Sequence, residues 1–171
     1  MYNRNKPHKT LLILCVAMLL AATLLEAAAQ ERTAESWYKA GLRECQSPEP
    51  NLIKARQALD KALDINPHIS AYAYKWRSWV KRRQGELASA LEDISTAITL
   101  QPKDARLYAF RADLRRQMAD VQGAITDYGI ALQLAESSPD ASVYRELRDS
   151  CIIEQAGDSL AQQTPMHKKN K

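Results

Sequence analysis

Nine residues, KWRSWVKRR from Lys75 to Arg83, hold five cationic side chains and two tryptophans. Such a cluster can grip phosphates and stack bases, lie on anionic lipid, or seat carboxylates while its rings bury apolar groups. Lys75, Trp79 and Arg82 are four and three residues apart, so on a helix they share one face. The other chemistry-bearing residues are sparse. The glycines Gly41, Gly85, Gly123, Gly129 and Gly157 form no phosphate-cradling loop, and there is no G-x-S-x-G elbow. Beyond the N-terminal region the histidines are His68, beside a proline, and His167, near the C-terminus, and no metal-ligand set can be drawn from them. The Glu92–Asp93 and Asp120–Asp127 carboxylates read as helix-surface charge rather than an acid/base pair. The expectation is a non-catalytic protein with no cofactor, no metal and no small-molecule substrate.

The elements that must position the cluster begin after an N-terminal segment of different character. Arg4, Lys6 and Lys9 precede LLILCVAMLLAATLL, Leu11 to Leu25, and Ala27-Ala28-Ala29 follows. A basic start, a short apolar run and small residues match an export signal, with cleavage expected before Gln30. The run is short for a spanning helix, which needs roughly 20 apolar residues. An uncleaved membrane anchor is the other reading. Cys15 is preceded by Ile13 and Leu14 rather than small residues, so lipidation there is rejected. Residues 1–29 carry three basic groups and one acid, which leaves 21 Lys plus Arg against 19 Asp plus Glu. A net charge of only +2 argues against nucleic acid as partner.

The rest of the chain repeats. Offset by thirty-four residues, 71–100 lies over 105–134: Ala71 meets Ala105, Tyr74 meets Tyr108, Arg77 meets Arg111, Ala90 meets Ala124, Asp93 meets Asp127 and Ala97 meets Ala131. Upstream, 54–67 fits over 89–102, placing Ala55, Ala62 and Pro67 on Ala90, Ala97 and Pro102. AESWYKAG (34–41) fits AYAYKWRS (71–78) after two extra residues, for which SPEP at 47–50 is the natural site. Each unit reads as two helices. Leu87, Leu91, Ile94 and Ile98 keep helical spacing, the alanines let two axes approach, and Pro67 and Pro102 end the second helix. Helix pairs this short cannot bury their apolar stripes alone, so the units must stack.

The period, Trp37 with Gly41, and the Ala90–Ala97–Pro102 series resemble the tetratricopeptide repeat. The resemblance implies an all-α, right-handed solenoid of three helix–turn–helix units plus a C-terminal capping helix. The expected boundaries are a signal at 1–29, units at 34–69, 70–104 and 105–138, a cap at 140–156 and a disordered tail at 157–171. Val143, Tyr144, Leu147, Cys151 and Ile152 form the apolar face of the cap.

Arg77 and Arg111 occupy one slot and Asp93 and Asp127 another, while unit one has Ala40 and Ala58 in both. The charges occur together or not at all, which predicts structural pairs Arg77–Asp93 and Arg111–Asp127. The resemblance further implies a concave groove lined by first helices. Its slots are Glu35, Tyr38, Leu42 and Cys45; Tyr72, Lys75, Trp79 and Arg82; and Arg106, Ala109, Asp113 and Arg116. The partner-binding expectation rests on Tyr38, Leu42, Tyr72, Lys75, Trp79, Arg82, Arg106, Asp113 and Arg116, with a peptide or protein as ligand and Glu35 and Asp113 as the groove's acids. Against it stands the plainer reading that these charges only keep a helix surface soluble and Trp79 packs on a neighbour. Tyr38 and Leu42 stand where cytosolic members of the family hold a carboxylate clamp, so that clamp is not expected. Other roles in view are a subunit of a permanent envelope assembly and a peripheral module on anionic lipid. Cys45 and Cys151 lie two units apart, too far to bridge, with Cys151 in the core and Cys45 toward the groove. Export predicts a periplasmic or secreted protein.

Overall fold

The computed structural model describes the backbone of residues 6–163 and the side chains of 11–26 and 33–157. Among these residues the chain is entirely helical: α1 Lys6–Gln46, α2 Leu52–Ile65, α3 Ala71–Arg83, α4 Leu87–Leu100, α5 Ala105–Gln117, α6 Val121–Leu134 and α7 Asp140–Gln163. Each helix packs on the next, and α1 also touches α3. That order stacks α1/α2, α3/α4 and α5/α6 as successive pairs, with α7 closing the end.

Local chemistry sets the helix starts. Asn51, Ser70, Asp104 and Asp120 each accept a hydrogen bond from a backbone N–H in the first turn of α2, α3, α5 and α6, meeting donors that the helix leaves unpaired. The turns inside units two and three are built alike. Gly85 and Ala119, thirty-four residues apart, both have left-handed backbone, with φ of 82° and 62°. Glycine takes this without cost, whereas alanine sets its Cβ against the backbone.

Packing is layered by the repeat. Ala55, Ala90 and Ala124 are fully buried, as are Ala62, Ala97 and Ala131 two turns further along the same face. Between them Leu59, Ile94 and Tyr128 fill the larger slot, also with no exposed surface. The first helices answer with Gly41, Ser78 and Ala112. Approach at Gly41 is close: an added Cβ would stand 2.7 Å from Leu59 Cγ. Buried Ser78 keeps its hydroxyl satisfied by donating to the Ala90 carbonyl at 2.6 Å.

Two extents differ from expectation. The first helix of unit one does not begin near residue 34: it is continuous with the apolar segment in the 41-residue α1, because nothing between Leu25 and Ala34 breaks a helix. The apolar segment is exposed among the described residues, with Leu11, Ile13, Met18 and Leu25 all more than 60% exposed. Among the described residues no helix is long and apolar enough to cross a membrane. The cap does not stop at 156, and residues 157–163, expected as tail, continue α7. They contain no proline and only one glycine. The remainder of the expected tail lies outside the described residues.

Candidate functional site

The chemistry-bearing side chains fall into two sets. One lies between the helices of a pair. Arg77 donates from Nε and Nη2 to the two oxygens of Asp93 at 2.9 and 2.7 Å, and from Nη1 to Asp60 of the preceding unit at 3.0 Å. Arg111 repeats the fork on Asp127 at 2.8 and 2.7 Å. Each aspartate also meets a second cation: Lys81 Nζ is 2.8 Å from Asp93, and Arg115 Nη1 is 3.0 Å from Asp127. Lys81 and Arg115 occupy equivalent slots and donate to equivalent carbonyls, of Ser89 and Gly123. The sequence comparison missed these second cations because one is lysine and the other arginine. With Asp93 and Asp127 buried, these are charges of the fold.

The other set lies along α3 and α5, the first helices of units two and three. Arg106 sits with its guanidinium carbon 5.3 Å from the Tyr72 ring centre, and Lys75 Nζ is also 5.3 Å from it. The same ammonium is 6.0 Å from the Phe110 ring, which Arg82 also approaches, at 5.9 Å. Cation and ring therefore alternate from Arg106 through Tyr72, Lys75 and Phe110 to Arg82, each contact within cation–π range. Trp76 adds a third ring 5.4 Å from Lys75. Trp76 and Phe110 occupy equivalent slots, one place from those read as groove-facing, and the repeat alignment could have flagged them.

The acids on this face are engaged. Asp104, absent from the expected groove acids, accepts from Tyr72 Oη and from Nε and Nη2 of Arg106. Burial alone would raise its pKa, but the bonds from Arg106 and Tyr72 outweigh this and hold it below the usual carboxylate range. Burial, then the Asp104 bond and charge, push the Tyr72 phenol up to about 12. The Lys75 ammonium is pushed below its ordinary value, first by burial and then by the charge of Arg106. Asp113 is not a free groove acid. It accepts a hydrogen bond from Tyr128, which has no exposed surface. Glu35 is bound to Lys39 at 2.6 Å in a solvated pair.

The remaining expected positions divide similarly. Trp79 packs edge-on to Trp76, with ring centres 6.0 Å apart, and lies against the buried cluster of Cys45, Ala55, Leu59 and Val80. Tyr38 joins that cluster at its margin. Leu42 is half-buried on α1. Arg116 is solvated, with Nε 3.5 Å from Glu154 of α7. Cys45 faces the core and not the groove, since α1 packs that side on α2 and α3, and burial together with the Glu44 charge raises its thiol to about 11. Cys151 is fully buried against Ala112, Ala124 and Tyr128, and both thiols are free.

With this geometry in place, comparison with known proteins defines the class. No family model matches the chain. It is 37% identical over 82 residues to tetratricopeptide repeat protein 36 of Bos taurus, a stretch covering 48% of this chain and 38% of that protein. The chain thus spans well under half the length of this curated relative. A TPR2B domain of yeast Sti1, solved as a pHsp70 complex, superposes with a TM-score of 0.65 at 17% identity, covering 72% of this chain and 98% of the domain. The Yersinia enterocolitica type III secretion chaperone SycD, solved with a peptide of the translocator YopD, gives 0.65 at 13% identity over 72% of this chain and 95% of SycD. The chain has the tetratricopeptide-repeat fold, an all-helical solenoid in which α1, α3 and α5 are the first helices of their units.

Proposed function

We propose that the protein is a non-catalytic interaction module that holds a peptide segment or partner protein against the inner face formed by α1, α3 and α5. The observation that carries this reading is the alternating row from Arg106 to Arg82. It places aromatic surface beside cations, of which Lys75 and Arg82 make no ion pair among the described residues, along the first helices of units two and three. Structures of the same fold were solved as a pHsp70 complex and with a translocator peptide, which supports the same use of the surface. Rings supply buried apolar contact and cations fix register, the division of labour that concentrates binding energy in a few residues. Trp79 serves chiefly to pack the layer beneath.

The protein acts outside the cytoplasm in this reading, periplasmic or secreted. Support comes from the basic n-region, the exposed apolar run from Leu11 to Leu25, and the small residues after it. N-terminal sequencing of the native protein tests export: a start at Gln30 is expected, and a start at Met1 on membrane-bound material would favour an uncleaved anchor.

The binding claim is tested by crosslinking pull-down from envelope extract, comparing the parent with a Lys75→Glu/Arg82→Glu variant whose fold is checked by circular dichroism. A partner captured by the parent and lost from the folded variant is expected. Equal capture by both would remove this face as the binding surface. A partner that stays bound at high dilution would indicate a permanent assembly instead.

A further inference from the structure

Resting on the groove reading, the charge state of this face narrows the ligand. Of its cations, Arg106 is neutralised by Asp104 and Arg116 approaches Glu154. Lys75 and Arg82 make no ion pair among the described residues. Lys75 is held by the rings of Tyr72, Trp76 and Phe110, and Arg82 donates only to the neutral amide of Gln117, at 2.8 Å. The carboxylate acting on Lys75 is Asp104, already bonded to Tyr72 and Arg106. Two cations without an ion pair thus lie about 6 Å from the centre of one ring, Phe110.

We infer that Lys75 and Arg82 form a two-point seat for an acidic peptide segment, one carboxylate to each cation, with an apolar ligand side chain between them on Phe110. Like charges near one ring repel, and an anion that reaches both relieves this. Because the rings already restrict both side chains, binding costs little further ordering. The seat recognises acidic side chains and needs no free C-terminus, since the slots used for a terminal carboxylate hold Tyr38 and Leu42. A flat bilayer does not reach half-buried cations lying between successive helices, so a peptide is preferred to anionic lipid. The chain's own C-terminus, MHKKNK, carries the wrong charge to fill the seat.

The probe is an amidated synthetic peptide, acetyl-ELEELLEEL-amide bearing one photoreactive leucine, with acetyl-QLQQLLQQL-amide as its neutral counterpart. Binding to the full chain is read by fluorescence anisotropy and the attachment point by mass spectrometry. The expected result is preference for the acidic probe by tenfold or more, a comparable loss in Lys75→Gln and in Arg82→Gln, little change in Arg116→Gln, and weakening on raising salt. Crosslinks should fall on α3 and α5. Equal binding of both probes at α3 and α5 would overturn acid selection and leave the groove reading standing. Crosslinks elsewhere would overturn both. No binding of the acidic probe, or its displacement by phosphatidylglycerol vesicles and not by neutral ones, would overturn the peptide seat.

Discussion

Replacing Asp127 by asparagine tests whether the charges between paired helices act as counter-charges or merely as fillers. The Asp127 side chain is fully buried, while Arg111 and Arg115 keep 17% and 26% of their side-chain surface. The substitution conserves volume and removes one negative charge from beneath two guanidinium groups. Breaking a buried pair on one side costs about 3–5 kcal/mol. Both arginines can turn partly to water, so the expected loss is at the lower end, about 3 kcal/mol, or roughly 10 °C in Tm for a domain of this size. Asp60→Asn is the internal control: its carboxylate is 40% exposed and Arg77 keeps Asp93, so the loss should stay below about 1 kcal/mol. Urea melts followed by circular dichroism measure both. A triple variant, Asp127→Asn/Arg111→Met/Arg115→Met, should recover part of the loss by removing the stranded charges. A loss under about 1 kcal/mol in the single variant, or no recovery in the triple, would refute the reasoning.

Other consequences follow from single observations. Gly41→Ala drives a methyl into Leu59 and should cost about 1–3 kcal/mol, whereas Gly129→Ala meets nothing within 4 Å and should gain up to about 1 kcal/mol of helix propensity; denaturant melts separate them, and equal effects would contradict the close approach. Ala119→Gly relieves the left-handed backbone at φ 62° and should stabilise by about 0.5 kcal/mol, while a melt showing a clear loss would contradict that. In the folded, uncleaved chain a thiol reagent should modify Cys15 quickly and buried Cys45 and Cys151 only on unfolding; three fast thiols would show the packing wrong. Because burial raises the Cys45 thiol to about 11, its contribution is complete below the ordinary thiol range near 9 and is lost as pH rises through 11. The parent should therefore lose Tm over that interval faster than Cys45→Ala, and parallel curves would count against it.

Much of the fold was legible because repetition makes each inference several times over. Ala90 and Ala97 each have partners a unit away, and the layers they mark are the buried layers observed. Helix extents were less legible, since a continuous helix through residues 26–34 needs only the absence of a breaker, and a pattern of export residues says nothing of local conformation. In the candidate site, spacing placed Lys75 and Arg82 on a common helix face. It gave no sign that Asp104, a helix cap in the turn before α5, would reach across to Tyr72, or that Tyr128 would occupy Asp113. The first joins α3 to the cap of α5 and the second joins α5 to α6 within unit three; both are set by side-chain length and packing geometry rather than by position in the repeat. Phe110 was missed for the same reason: it matters because cations from the neighbouring unit close on it.

The most direct measurement places a photocrosslinking amino acid, p-benzoylphenylalanine, at Phe110 on the inner face and, in a separate protein, at exposed Thr96 on α4. Each is irradiated in the native extract. The account predicts a defined adduct from position 110, lost when Lys75 and Arg82 are reversed in charge, and none of the same mass from position 96. An adduct from Thr96 alone would contradict it, and would move the binding surface to the opposite side of the solenoid.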